Sequence, residues 1–160
     1  MKFLFWMWLV VPLWGGYNAT MRVERATLTV GDRQIACTPN QIVNLPAMPP
    51  NVRIQTVSFT LELSAGEREW AELQNSRKMP IMFKWFRFSG ARMFITGVAQ
   101  DSNAGRMMTA ARVAGGTVVH QAQASNDRIT SGTWVITPVY ADNTPIIING
   151  RELSYQFQVP

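Results

Sequence analysis

A chain of 160 residues has the size of one ordinary domain, long enough to bury a core without disulfides or metals to support it. A single cysteine and a single histidine exclude a disulfide framework, a thiolate zinc site and a Cys-x-x-Cys redox motif within one chain. The net charge is +5, and twelve of the fifteen basic residues are arginines spread along the chain, which favours scattered binding contacts over one charged tract.

The first element in chain order is an apolar segment, MKFLFWMWLVVPLW at residues 1–14, whose only charge is Lys2. Because a membrane-spanning helix needs about 20 apolar residues, this segment is too short for a stable anchor, although it could contact a membrane surface. It is interpreted either as a signal peptide that is removed or as an ordered arm buried against its own or a neighbouring subunit. As an arm, it is expected to make its contacts through Phe3, Phe5, Trp6, Trp8, Leu9 and Trp14.

Residues 1–20 are assigned to this segment, and residues 21–160 are expected to form one β-rich domain. The alternation from Ala26 to Val30, followed by the turn residues Gly31 and Asp32, predicts a hairpin with residues 33–37. Four prolines make 38–51 an irregular crossing. The period of two resumes over 52–63, with a phase slip near Thr56 that predicts a β-bulge.

One α-helix is predicted, from about residue 65 to 77. Ser64 and Glu67 have the spacing of a capping box, in which each side chain caps a backbone N–H at the start of a helix. Trp70 and Leu73 give the helix a short apolar stripe, and Pro80 prevents its continuation. A helix with so few apolar residues is expected to lie on the flank of a sheet.

The remaining chain alternates strand patterns with turn residues. Among these patterns, the segment at 81–88 is apolar on both faces, which is typical of a central strand, and Asn149-Gly150 is the dipeptide that a type I′ hairpin turn prefers. A polar loop is predicted at 101–105. Strands are predicted at 81–88, 91–100, 117–124, 129–140, 146–148 and 151–159. Residues 106–114 have a composition that also allows a helix, but Gly115-Gly116 favours a hairpin with 117–124, so a strand is predicted there too. The predicted fold class is therefore mainly β, an antiparallel β-sandwich or barrel of eight to ten strands with one flanking helix and an apolar N-terminal segment.

No constellation of residues indicates catalysis, a metal site or a cofactor. His120 has no carboxylate at a fixed spacing and is interpreted as a strand-surface or hydrogen-bonded structural imidazole. Cys37 is expected to be a small buried thiol. Asp101, Asp127 and Asp142 each lie beside serine or asparagine and are interpreted as turn residues. We therefore expect a protein that is not an enzyme.

One cluster indicates a nucleic-acid site. Cations alternate with aromatic residues over 84–88, and such a strand can stack bases and neutralise phosphates in an OB-type barrel. The competing interpretation is a central strand packed on both faces, with cations that stay in water. The candidate nucleic-acid contacts are Lys84, Trp85, Arg87 and Arg92.

The expected function is a non-catalytic structural or assembly subunit. A short β-rich domain with few charges and an apolar arm has the style of viral and phage structural subunits, so we expect a virion component that forms a homo-oligomer and contacts other structural subunits. Two alternatives are open. One is an exported binding module of a bacterial envelope, secreted or periplasmic, with the N-terminal segment removed. The other is a single-stranded nucleic-acid-binding β-barrel.

Overall fold

The computed structural model of the chain describes residues 21–105, 112–113 and 116–160, with 112–113 described by their backbone. In these residues the chain forms twelve strands and one helix, α1 at Glu67–Asn75. The strands are β1 Arg22–Val30, β2 Arg33–Ala36, β3 Ile42–Asn44, β4 Gln55–Gly66, β5 Met82–Ser89, β6 Arg92–Gln100, β7 Arg112–Val113, β8 Thr117–Ile129, β9 Gly132–Val139, β10 Ile147–Ile148, β11 Arg151–Glu152 and β12 Tyr155–Val159.

The strands form two five-stranded sheets that pack against each other. One sheet has the order β2-β1-β4-β8-β7 and the other β3-β12-β9-β5-β6, while β10 and β11 pair separately. All pairs are antiparallel except β12 with β3, which is parallel. Among the described residues no strand pairing joins the two large sheets, so the predicted mainly β fold is confirmed as sandwich-like and a closed barrel is not formed.

The core lies between the two sheets and follows from the period-two pattern of the strands. Along β4, alternate residues from Val57 to Leu63 are fully buried. The Phe59 ring contacts residues of the opposite sheet, with ring centres 4.9 Å from Tyr155 and 5.7 Å from Phe83. The residues of β9 and β12 that belong to the core cluster complete this layer, and they are Trp134, Ile136, Tyr155, Phe157 and Val159.

The helix begins two residues later than the sequence predicts, and its predicted capping box is wrong. Ser64 belongs to β4, and its hydroxyl donates a hydrogen bond to the Glu24 carboxylate at 2.6 Å. Gly66 precedes the helix without a side-chain cap. The predicted apolar stripe is confirmed, since Trp70 and Leu73 are buried, and the Trp70 indole N–H donates to the Val118 carbonyl oxygen at 2.9 Å.

Several local predictions are confirmed by the strand register. β1 and β2 form the predicted hairpin, and the pairing of β4 with β8 is shifted between Gln55 and Val57, beside Thr56. Asn149 and Gly150 have φ angles of 53° and 77° at the turn between β10 and β11. Such positive φ angles are what a type I′ turn requires.

Other predictions need correction. The expected strand at 151–159 is interrupted, because β11 ends at Glu152 and β12 begins at Tyr155. The crossing at 38–51 contains β3, whose backbone pairs with β12. β8 continues to Ile129, past the predicted end at 124. The predicted strand at 106–114 is represented by β7 alone, and the rest of it, like the N-terminal segment with its six proposed contacts, lies outside the described residues.

Candidate functional site

Strand β6 is an edge strand with an unusually apolar surface. In the described part of the chain it pairs with β5 on one side, and no strand pairs with its other side. Met93, Phe94 and Val98 are each 51% exposed, and Ile95 is 55% exposed. Edge strands of soluble proteins are normally short or carry lysine or proline. β6 has nine residues, no proline and only one charge, at Arg92, so its free edge is poorly protected.

The register between β5 and β6 places three of these side chains on the outer face of the sheet, away from the core. Phe86 and Phe88 alternate with the core-facing residues of β5 and therefore point outward. Met93 lies opposite Phe88, and Ile95 lies opposite Phe86. The outer-face residues Phe86, Phe88, Met93, Ile95 and Val98 are named the β6 patch.

A β-bulge between Trp85 and Phe86 determines which side chains of β6 reach the outer face. Ile95 and Val98 are three positions apart and would lie on opposite faces of a regular strand. The bulge leaves Thr96 without an opposite residue on β5, and its hydroxyl donates to the Trp85 carbonyl oxygen at 3.1 Å. Because the alternation shifts by one residue there, Ile95 and Val98 lie on the same face.

The apolar surface continues from the β6 patch onto β9. Val135 lies opposite Phe86, and therefore on the outer face, yet only 5% of it is exposed. Val135 is not part of the cluster between the sheets. Val135 is therefore a buried apolar side chain on the face of the sheet that points away from the core. Outward positions of a two-layer sandwich are normally polar, so this face has the composition of a surface that another layer covers.

The inner side of β6 is also accessible, at the margin between the sheets. Phe94 lies opposite Arg87, on the side that faces the other sheet, and is nevertheless half exposed. A shallow depression of about 250 Å³ between β6 and β8 is lined by Gly97 and Ala99 on one side and by Asp127 on the other. β6 therefore presents apolar surface on both of its sides.

The four candidate nucleic-acid contacts do not share one accessible face. Trp85 is 1% exposed, so its ring is enclosed in the core. Lys84 lies on the outer face of β5, whereas Arg87 lies on the opposite face and donates to the Ser131 carbonyl oxygen at 3.0 Å. Arg92 is exposed at the start of β6. Base stacking and phosphate neutralisation require the ring and the cations on the same surface, and this arrangement does not supply it.

A buried polar pair joins the two sheets and was not found from the sequence. His120 Nε2 lies 2.6 Å from Asp101 Oδ2, with side chains 2% and 0% exposed. Asp101 Oδ1 also accepts the backbone N–H groups of Asn103 at 2.8 Å and Gln123 at 2.9 Å. Asp101 follows β6 and His120 belongs to β8, so the pair connects the margins of the sheets. Because both side chains are enclosed, the pair contributes to the structure. Of the two predictions for His120, a strand-surface imidazole or a hydrogen-bonded structural one, the structure shows the second.

The other two acids considered in the sequence, Asp127 and Asp142, do not belong to a catalytic or metal-binding group among the described residues. Asp142 lies in the predicted turn, where hydrogen bonds from Lys78 and Thr144 lower its pKa to about 2. Asp127 was predicted in a loop but lies in β8, because that strand is longer than expected. Among the described residues no three histidine, cysteine or acidic side chains are grouped so that they could hold a metal ion.

Cys37 is half-buried, so it is less enclosed than the buried thiol that the sequence predicts. Burial raises the pKa of this thiol to about 11, and the sulfur lies 3.6 Å from the Ile35 carbonyl oxygen. The thiolate is the reactive form of cysteine. A thiol with so high a pKa is unsuited to nucleophilic chemistry at neutral pH.

We expect iodoacetamide to alkylate Cys37 at pH 8 about a hundredfold more slowly in the folded protein than in the unfolded chain. With a pKa of about 11, roughly one thiol in a thousand is ionised at pH 8. Intact-mass spectrometry measures the rate, and the same reaction in concentrated urea is the control. Similar rates in the two conditions would show that the thiol is not held in a buried environment.

Comparison with known proteins assigns no family, since neither the protein-family models nor the curated proteins contain a match to this chain. In the part of the chain that the structure describes, the helix found is too short to cross a lipid bilayer.

Proposed function

We propose that this chain is a non-catalytic structural subunit that self-associates through the β6 patch. The observation that carries the proposal is the long edge strand with half-exposed apolar residues on both of its sides. Its unpaired N–H and C=O groups are a template for pairing with another chain, and apolar side chains add affinity when they are covered. A contiguous apolar surface rimmed by polar residues commonly marks a protein–protein interface.

The chemistry of the remaining groups supports a non-catalytic role. The Asp101–His120 pair is enclosed in the core, and the Cys37 thiol has a pKa of about 11. Neither offers an accessible base or nucleophile near pH 7. The described site residues are therefore better suited to contact than to reaction.

Within this proposal the assembly is a virion, in which many copies meet one another and other structural proteins. The competing function is an exported envelope module, which differs in the fate of the N-terminal segment. Export with signal cleavage removes about the first 16 residues. Intact-mass measurement on protein from its native source distinguishes the two, because the virion subunit is expected to retain that segment.

We expect Ile95→Lys to weaken self-association of the full chain by about tenfold or more. Ile95 is 55% exposed in the single subunit, and covering the rest of it contributes on the order of 1 kcal/mol. A lysine at this position loses that contribution and also places an ammonium group in an apolar contact. Sedimentation velocity over a range of protein concentrations gives the dissociation constant for each variant.

Ile42→Lys is the matched control. Ile42 is 58% exposed and also lies on an edge strand of the same sheet, opposite the outward-facing Gln156 of β12. The change of side chain is identical, but the position lies at the other edge. We expect it to leave the dissociation constant unchanged within about twofold. Equal weakening by both variants, or a wild-type chain that stays monomeric at every concentration, would contradict the proposed function.

A further inference from the structure

The free edge of β6 has the properties of an acceptor for one particular strand. We propose that β6 binds residues 3–11 of a second copy of this chain, which add an antiparallel strand to the edge and place apolar side chains beside those of β6. This inference rests on the proposed function and names the partner of the same surface. Each copy then carries one donor segment and one acceptor edge, so copies join head to tail in a ring or a filament.

The partner must be apolar at successive positions, and not only at every second one. A strand added to an edge points its side chains alternately to the two faces of the sheet. Around β6 both faces are apolar, with Met93 and Ile95 on the outer side and Phe94 on the inner side. An amphipathic strand would set polar side chains against one of these sides. The sequence FLFWMWLVV at 3–11 is apolar at every position.

The length of the donor segment also fits. β6 has nine residues from Arg92 to Gln100, and the uninterrupted apolar run from Phe3 to Val11 has the same length. Pro12 follows directly, and proline cannot donate a hydrogen bond to a strand ladder. In an antiparallel pairing over this length Val11 lies opposite Arg92, so pairing is expected to stop at the first residue of β6.

The position of Met21 shows where the donor segment leaves its own subunit. Met21 is 3% exposed, and its sulfur lies 3.9 Å from the Tyr140 hydroxyl. Two residues later, Val23 lies opposite Leu63, which in turn lies opposite His120. The His120 side chain is bonded to Asp101, which directly follows β6. The start of β1 and the end of β6 therefore lie at the same end of the sandwich.

This placement favours a second copy over the segment of the same chain. If a chain folded its own segment back from Met21 along its own β6, the segment would run parallel to β6. The sheet has one parallel pair, β12 with β3 at its other edge, but the pairs that involve β5, β6 and β9 are antiparallel. An antiparallel arrangement would require residues 12–20 to return along the whole of β6. Nine extended residues reach about 30 Å, and β6 itself takes up nearly all of that length. The link would also have to pass round the sandwich to β1 in the other sheet, so it is too short.

The test uses the full chain with a photo-reactive residue in the donor segment, Trp8→p-benzoylphenylalanine. This protein is mixed with an excess of unmodified copies labelled with ¹⁵N and irradiated. Trypsin releases residue 8 in the peptide 3–22 and β6 in the peptide 93–106, because cleavage follows lysine and arginine. We expect cross-links between the unlabelled donor peptide and the labelled β6 peptide. Ile95→Lys in the labelled copies adds a tryptic site, so in those copies β6 is released as the peptides 93–95 and 96–106. The summed yield of cross-links to these two peptides should fall about tenfold, whereas Ile42→Lys should leave the yield at 93–106 unchanged.

Three results would overturn the inference: cross-links confined to one copy, cross-links to peptides other than 93–106, or mature protein that lacks residues 1–11. The proposed function has a separate outcome. If Ile95→Lys still weakens association although no cross-link reaches β6, the subunit self-associates through the β6 patch, but residues 3–11 are not its partner. If the wild-type chain is monomeric, both the proposed function and the proposed donor strand are contradicted.

Discussion

Replacing Asp101 with alanine should lower the free energy of unfolding by about 3–5 kcal/mol. The Asp101 carboxylate is the shared partner of the His120 imidazole and of two backbone N–H groups, those of Asn103 and Gln123. The carboxylate and imidazole side chains are 0% and 2% exposed, so water cannot replace the lost bonds without opening the margin between β6 and β8. Urea unfolding followed by tryptophan fluorescence measures the change.

Asp127→Ala is the control for this variant. Asp127 is an exposed residue on the neighbouring strand β8, and removal of its carboxylate is expected to change the free energy of unfolding by less than about 0.5 kcal/mol. A loss below about 1 kcal/mol for Asp101→Ala would mean that the pair does not hold the two sheets together. Comparable losses for the two variants would contradict the same conclusion.

Replacing Phe59 with alanine should destabilise the fold by about 3–5 kcal/mol, because it removes a ring that bridges the two sheets. Phe59 belongs to β4 and is fully buried. Its ring centre lies 4.9 Å from that of Tyr155 and 5.7 Å from that of Phe83, both in the opposite sheet. The cavity left behind cannot close without moving one sheet toward the other. Thermal and urea unfolding should both report the loss.

Phe94→Ala makes the same change of side chain on the surface. Phe94 is 51% exposed and lies on the edge strand, so we expect a loss of less than about 1.5 kcal/mol in the isolated subunit. The contrast between the two phenylalanines tests where the core lies. Equal destabilisation by both substitutions would be incompatible with a core between the two sheets.

Predictions from the sequence succeeded where the local pattern decides the structure. The β1–β2 hairpin needs only its alternation and the Gly31-Asp32 turn, and the β10–β11 turn needs only Asn149-Gly150. The predictions failed where the structure of a segment depends on a strand that is distant in the sequence. β3 has three residues, in a stretch rich in proline, and its strand conformation depends on parallel pairing with β12, more than a hundred positions away. The local sequence pattern does not predict such a strand.

At Ser64 a local pattern and a distant pairing favour different structures. Its spacing to Glu67 is that of a capping box, but in the folded chain Ser64 lies opposite both Arg22 and Val119 as part of a central strand. Its hydroxyl binds Glu24. The ladder formed with two neighbouring strands outweighs one cap, which is worth about 1 kcal/mol, so the helix starts later than predicted.

The candidate site depends on sheet order, which the sequence does not reveal. The strand pattern at 91–100 was recognised, but its exposure follows from its position at the end of the sheet. The bulge opposite Trp85 then decides that Ile95 and Val98 share a face. The partner of His120 was missed for a related reason, since Asp101 resembles an ordinary turn residue and meets the histidine only when β6 and β8 are brought together.

The long pairing of β4 with β8 has a consequence for how the protein is made. Its opposed residues are at least 51 positions apart along the chain, from Gly66 opposite Thr117 to Gln55 opposite Ile129. Contacts of this range form slowly. On a ribosome, β5 and β6 emerge before β8, so nascent chains on one messenger expose their apolar edges to one another before either sandwich can close.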